Sequence, residues 1–203
     1  MTPTVSFLRR ILPPTGLYIA ARLVDKHFKN HVCESIDELA QQVLEYDNQG
    51  VAAYHACASY REPEVDGIKD GKTFKQVRVQ RNVRSLRSFY MDLDVKPGNP
   101  EAFESQSEAI NGLADFLLVT GLPPPMVVSS GGGIHIYWSL IDEIIPEQWK
   151  PIAGSLKALA AHHKFKIDPA CTADSARVLR PVGTYNRKIP SNPRSVEIIA
   201  DAD

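Results

Sequence analysis

The heptapeptide Phe89-Tyr90-Met91-Asp92-Leu93-Asp94-Val95 constrains this chain more than any other stretch of it. It reads as a strand, and the side chains of a strand alternate between its two faces. Phe89, Met91, Leu93 and Val95 then enter a core, and Asp92 and Asp94 stand side by side on the opposite face. Two neighbouring carboxylates repel unless a cation lies between them, and a divalent metal is the usual partner. Oxygen ligands suit Mg²⁺ or Mn²⁺, which keep positions open for water and substrate phosphates. An ordinary edge strand with two solvated acids would look the same, so other segments must decide.

Val127-Val128-Ser129-Ser130-Gly131-Gly132-Gly133-Ile134-His135-Ile136-Tyr137-Trp138 is the second informative run. Ile134, Ile136 and Trp138 make a buried face, which turns His135 and Tyr137 the other way. The glycines at 131, 132 and 133 allow backbone amides to approach a ligand and form an anion-binding concavity, with His135 in reach of a phosphate held there. The third run starts at Phe165-Lys166-Ile167-Asp168-Pro169. Asp168 follows an apolar residue and precedes proline, as a carboxylate at a strand end would, and could supply a third acid; Asp174 is the weaker substitute. Downstream, Arg177, Arg180 and Lys188 are poised for a triphosphate or a template backbone.

Net charge is −1, so composition gives no sign of an anionic partner, but the distribution does. From Lys69, basic residues recur at Lys72, Lys75, Arg78, Arg81, Arg84 and Arg87, with no acid between Asp70 and Asp92. A second acid-free stretch runs from Ser175 to Val196. Two positive tracts in a neutral chain suggest a local anionic partner. Cys33, Cys57 and Cys171 are widely spaced, without a Cys-x-x-Cys pair, which argues for a reducing compartment and against a disulfide framework or a zinc ribbon. No apolar run is long enough to span a bilayer, and the opening residues lack the order of a signal peptide; cytosol is the simplest expectation.

The 203 residues, 43% of them hydrophobic, suffice for one well-buried domain or a domain with a small subdomain. Ser35-Ile36-Asp37-Glu38 is a capping box opening a helix that Gly50 ends. Val51 to Tyr60 is expected as one strand, Arg61 to Gly71 as a polar loop, and Phe74–Val79 and Ser88–Val95 as strands. Asn99-Pro100 opens a helix toward Thr120. Strands follow at Met126–Ser130 and Ile134–Leu140. A helix from Pro146 turns Trp149, Ile152, Leu156 and Leu159 inward, and Val196–Ala200 closes the chain as a strand. The order is mixed α and β with antiparallel neighbours.

Taken together, the runs resemble the archaeo-eukaryotic primase superfamily in its phage- and plasmid-borne primase-polymerase branch. That branch has an Asp-x-Asp strand, a glycine-rich strand ending in histidine, and a third acid after an apolar residue. Asp92 and Asp94, His135, and Asp168 occur in that order, and the run from Arg177 to Lys188 is similar to the branch's tail. The resemblance covers roughly the last two-thirds of the chain; residues before Tyr54 fit as an N-terminal helical extension. Where many members carry Ser-x-His, Gly133 stands in the serine position, so Ser129, Ser130 or a backbone amide must make that contact.

The resemblance implies an RRM-like antiparallel catalytic sheet (residues 71–203) packed with an N-terminal αβ unit (residues 1–70). The chain stops at Asp201-Ala202-Asp203 without an obvious terminal element, so a longer protein with this as its first domain is expected. The resemblance also implies Asp92, Asp94 and Asp168 holding two Mg²⁺ or Mn²⁺ ions, and nucleotide contacts from Ser130, Gly131, Gly132, Gly133, His135, Arg177, Arg180 and Lys188. The sequence has no Cys/His cluster of the zinc-binding kind some relatives carry between motifs, so no zinc is expected. Template phosphates would follow Lys72, Lys75, Arg78, Arg81, Arg84 and Arg87. Implied partners are DNA template and primer, nucleoside triphosphates, and a helicase fused or in trans, in bacterial cytosol if phage- or plasmid-borne. Two alternatives stand beside it. One is a non-catalytic nucleic-acid-binding module. The other is a rolling-circle nicking endonuclease, which needs two histidines flanking an apolar residue and a tyrosine nucleophile; Tyr137 occupies the second histidine's place, and His162-His163 lies on a helix.

Overall fold

The computed structural model describes residues 2–201, with residue 69 described through its backbone alone. In chain order the elements are α1 (Pro3–Ile11), β1 (Tyr18–Val24), β2 (His27–Cys33), α2 (Ile36–Asn48), β3 (Ala53–Ala56), β4 (Ser59–Tyr60), β5 (Val65–Lys69) and β6 (Lys72–Gln76). They continue with β7 (Val83–Leu93), α3 (Gln106–Thr120), β8 (Met126–Ser129), β9 (Ile134–Ile144), α4 (Pro146–His162), β10 (Val178–Leu179), β11 (Tyr185–Asn186), β12 (Arg194–Ser195) and β13 (Glu197–Ala200). Two antiparallel sheets dominate: a four-stranded sheet ordered β10-β3-β1-β2 and a five-stranded sheet ordered β13-β8-β9-β7-β4. The fold is mixed α and β with antiparallel sheets, as expected. No helix among the described residues is long and apolar enough to cross a membrane.

β7 lies inside the five-stranded sheet and is covered on both faces. Met91 and Leu93 meet Ile134 and Ile136 of β9, and this face is closed by Ala109, Leu113 and Phe116 of α3 and Ala160 of α4. On the other face Tyr90 and Tyr137 are buried against the N-terminal part, where Phe7 of α1 packs edge-on to Tyr137 at 5.5 Å. The alternation read from the sequence places Asp92 and Asp94 on that second face, at its open end.

Several sequence expectations are corrected. Val51 to Tyr60 is not one strand: β3 belongs to the four-stranded sheet and β4 to the five-stranded one, with the chain crossing at Cys57 and Ala58. The crossing is held by the Cys57 amide, which donates to the Arg177 carbonyl at 3.0 Å. Arg61 to Gly71 is only half loop, because β5 and β6 form a hairpin around Asp70-Gly71, both at positive φ (52° and 74°). An Asp-Gly pair suits a two-residue hairpin turn. The helix expected from Asn99 starts at Gln106: the Ser105 hydroxyl accepts from the Glu108 amide, and Glu108 in turn accepts from the Glu104 amide. That capping box outcompetes Asn99, whose side chain accepts from Glu101 N in a local turn. The segment before Tyr54 is not only helical, since β1 and β2 form a hairpin over Asp25-Lys26. On α4, Ile152 is 51% exposed, and Trp149, Ala153 and Ala160 form the buried stripe.

His55 of β3 is fully buried and packs edge-on to Phe7. Burial holds its pKa down to about 3. A folded pKa below the unfolded value of about 6.5 means the unfolded chain takes up the proton first, so stability is lost as pH falls below about 6.5. At pH 4 the loss is on the order of 3 kcal/mol. His55→Leu is expected to lose that much less stability than wild type between pH 7 and pH 4 in urea titrations. Parallel pH profiles for the two proteins would refute it.

Candidate active site

β7 and β9 pair so that Asp92 stands directly opposite His135, and Leu93 opposite Ile134. The His135 Nε2 is 3.8 Å from Asp92 Oδ1, and the His135 side chain is 2% exposed. Asp168 reaches the same place from the loop after α4. Its amide donates to the Asp92 carbonyl at 2.8 Å, so the loop is hydrogen-bonded to the acid-bearing strand at the acid itself. Asp168 Oδ1 accepts from the Ala170 amide at 2.9 Å, and Oδ2 accepts from the Arg177 guanidinium at 2.5 Å. Asp94 Oδ2 accepts from Lys96 Nζ at 2.6 Å. Arg180, just past β10, donates to the Tyr54 hydroxyl at 3.0 Å and lies over that ring.

The Asp92 carboxyl is held above the usual carboxylate range. Burial pushes it up to about 7, Asp94 and Asp168 add to the rise, and Arg177 and Arg180 offset it only in part. His135 goes the other way: burial first, then the charge of Arg180, holds the imidazole well below its ordinary range. It is neutral at pH 7 and so cannot balance the acids.

Three carboxylates, the central one raised by its burial, fit hard divalent cations such as Mg²⁺ or Mn²⁺ in donor chemistry. Their oxygens are not drawn into one tight cluster, however. The one group of three ligand-type side chains with atoms within 4.8 Å of one another, among the described residues, is His31, Cys33 and Glu38. Asp94 turns to Lys96 and Asp168 to Arg177, and an ion shared by all three acids would displace those two protein cations.

The glycine loop is shaped by its own chain. A Cβ on Gly133 would lie 2.3 Å from the Leu93 carbonyl oxygen, and one on Gly131, at φ 73°, would lie 2.7 Å from the Arg194 carbonyl oxygen. The amides of Gly131 and Gly133 donate to the Ser129 and Ser130 hydroxyls. The glycines therefore have a packing reason that the sequence reading did not contain. Lys188 is exposed, and its amide donates to Asn186.

The basic tract does not form a single line. Spacing by three flips a strand residue to the opposite face, so Lys72 and Lys75 diverge on β6, as do Arg84 and Arg87 on β7. Lys75 pairs with Asp66, Arg81 donates to the Asp66 carbonyl, and Arg87 donates to the carbonyls of Leu140 and Arg9. Arg84 is exposed on β7. Arg78 alone reaches the site's border, donating to the Ala176 carbonyl at 2.6 Å.

Arg78 also uncovers residues the sequence reading missed. Its guanidinium lies over Phe28, Phe28 meets Tyr54 edge-on at 5.1 Å, and Tyr54 carries Arg180. The register Leu23↔Phe28 and Ala21↔Tyr54 puts both rings on one face of the four-stranded sheet. Two rings flanked by two cations thus lead from that sheet to Arg180, whose charge acts on Asp92. No local signal could have found it, because Phe28 and Tyr54 meet only through the pairing of β1 with β2 and β3.

The sequence matches no known family model, and no curated protein matches it. Solved structures do resemble it in fold. The primase-polymerase domain of cyanophage S-2L superposes with a TM-score of 0.63 at 16% identity, over 98% of this chain and 86% of that one. The catalytic domain of the primase RepB′, solved with initiator DNA, gives 0.58 at 17% identity over 98% and 86%. The polymerase domain of Mycobacterium tuberculosis ligase D, solved with DNA, gives 0.55 at 12% identity over 98% and 78%. The chain shares its fold with these primase and polymerase domains.

Proposed function

We propose that this chain, which has a primase-polymerase fold, is a template-directed nucleotidyltransferase that joins nucleotides from NTP or dNTP to a 3′-hydroxyl on DNA. The observation that carries the reading is the meeting of Asp92, Asp94 and Asp168 at one end of the paired strands, with Arg177 and Arg180 beside them. Two divalent ions held there by the three acids would make the 3′-hydroxyl more acidic and neutralise charge on the leaving pyrophosphate. The residues themselves hold and orient. Arg177 and Arg180 face incoming phosphates, and neutral His135 can donate one hydrogen bond without adding charge. In-line phosphoryl transfer needs positioning and charge neutralisation, so no covalent nucleophile is required.

At the outer end of the row, Phe28 and Arg78 fit a template strand: the exposed ring for a base, the guanidinium for a phosphate. Phe28→Ala is expected to weaken binding of a single-stranded DNA oligonucleotide by about 5- to 150-fold, the range for one lost stacking contact. Arg78→Ala should weaken it and lower the slope of log affinity against log salt by about one. Unchanged affinity and slope in both variants would remove this surface from the reading.

The test of the whole reading is extension of a labelled primer on a DNA template with each nucleotide set, in Mg²⁺ and in Mn²⁺. Template-directed elongation is expected. Tight DNA binding without elongation would favour the non-catalytic module instead. The nicking alternative finds no support in the geometry, because Tyr137 is 1% exposed and His162 and His163 lie at the far end of α4.

A further inference from the structure

A second cluster of ligand-type side chains lies on the other face of the four-stranded sheet. The register Tyr18↔Cys33 and Ala20↔His31 puts Cys33 and His31 on one face of β2, two residues apart. Tyr54 and Phe28 occupy the opposite face. α2 starts three residues after Cys33, and its Ser35 cap sets the first turn so that Glu38 comes back over the strand end. One ligand atom from each of His31, Cys33 and Glu38 lies within 4.8 Å of the other two. Cys33 is fully buried, whereas His31 and Glu38 are exposed.

We propose that His31, Cys33 and Glu38 bind a thiophilic divalent cation of the zinc class, with water as the fourth ligand. Thiolate, imidazole and carboxylate together select a borderline-soft ion over Mg²⁺ or Mn²⁺, the ions suited to the Asp92 site. Bond lengths of about 2.0–2.3 Å in a tetrahedron need ligand atoms about 3.5 Å apart, so atoms within 4.8 Å of one another need to close by no more than about 1.3 Å. His31 and Glu38, on the surface, can supply that movement while Cys33 stays fixed in the core. Glu38 already accepts from the Glu34 amide at 2.7 Å through Oε2, which fixes its orientation and leaves Oε1 for the ion.

Binding replaces the Cys33 S–H bond by a sulfur–metal bond and releases that proton to solvent. Burial, then the charge of Glu38, pushes the Cys33 thiol up to about 11, so affinity should rise with pH. The ion would join the edge strand β2 to the start of α2. Sequence inspection for paired cysteines misses such a site, because its ligands are His31-x-Cys33 and a glutamate supplied by the next helix.

The test is titration of the metal-stripped chain with Co²⁺, read by absorbance. One equivalent should bind and produce a thiolate-to-metal charge-transfer band in the near ultraviolet, displaced by Zn²⁺ and insensitive to millimolar Mg²⁺. Cys33→Ser should abolish the band. If that buried substitution unfolds the protein, the surface variant His31→Ala should still weaken binding at least ~10-fold, since even outer-shell partners contribute that much. Asp92→Ala should leave the band unchanged, which separates this site from the proposed polymerase centre. Absence of the band, or its persistence at full affinity in His31→Ala, would overturn the proposal.

Discussion

Asp92→Ala is expected to lower template-directed primer extension at least ~10³-fold, about 4 kcal/mol of transition-state stabilisation, while leaving the fold intact. The Asp92 carboxyl is pushed up to about 7 by its burial, and the charges of Asp94 and Asp168 add to the rise. Removing it takes away the charge that a divalent cation would balance, and leaves Asp94 and Asp168 paired with Lys96 and Arg177. The strand itself should not suffer, because Asp92 contributes its backbone, not its side chain, to the bond with the Asp168 amide. Circular dichroism and thermal melting should therefore match or exceed wild type, since a half-buried acid without a cation is a destabilising group. Wild-type extension by the folded variant would remove Asp92 from the chemistry. Asp168→Ala should give a loss of similar size.

Gly133→Ala should cost about 3 kcal/mol of stability or more, read as a fall in melting temperature of about 6–12 °C. The added methyl would lie 2.3 Å from the Leu93 carbonyl oxygen, an atom of the backbone that cannot swing aside. Leu93 is paired with Ile134, so relief requires β7 and β9 to part at the residues that carry Asp92 and His135. Extension activity should fall with stability and remain low even at temperatures where the variant is folded. Gly154→Ala on α4 is the matched control. Nothing lies within 4 Å of a Cβ there, and the helix should gain about 0.5–1 kcal/mol. Equal melting temperatures for Gly133→Ala and wild type would show that the strand pair tolerates the displacement.

The parts of this molecule that were legible in the sequence are those governed by short-range periodicity. The two-residue repeat of β7 and β9 was enough to turn Asp92, Asp94 and His135 to one side, and the Ser35 box was enough to start α2. Asp168 could be picked out, but not the bond that ties its amide to Asp92, which spans the whole of α3, β8, β9 and α4. Competing local signals misplaced the start of α3, since Asn99-Pro100 and Ser105-x-x-Glu108 both announce a helix and only geometry chooses. How the basic tract is laid out in space was not legible for a different reason. A spacing of three means one face only on a helix, and these residues run through a hairpin, a turn and a strand. Pairings across sheets were out of reach altogether, and with them the row of Phe28 and Tyr54.

The crossing at Cys57 has a counterpart late in the chain, where β10 returns to pair with β3 through Leu179 and His55. The first sheet is thus finished by residues about 120 positions downstream of the strand they complete, a long-range closure that slows folding. On the ribosome, at about 5–20 residues per second, β1, β2 and β3 emerge many seconds before their last neighbour exists. During that interval β3 presents an open edge in a nascent chain, exposed to chaperones and to other unfinished copies. Yield in a cell should therefore respond to translation speed across α3 to α4 as much as to the stability of the finished protein.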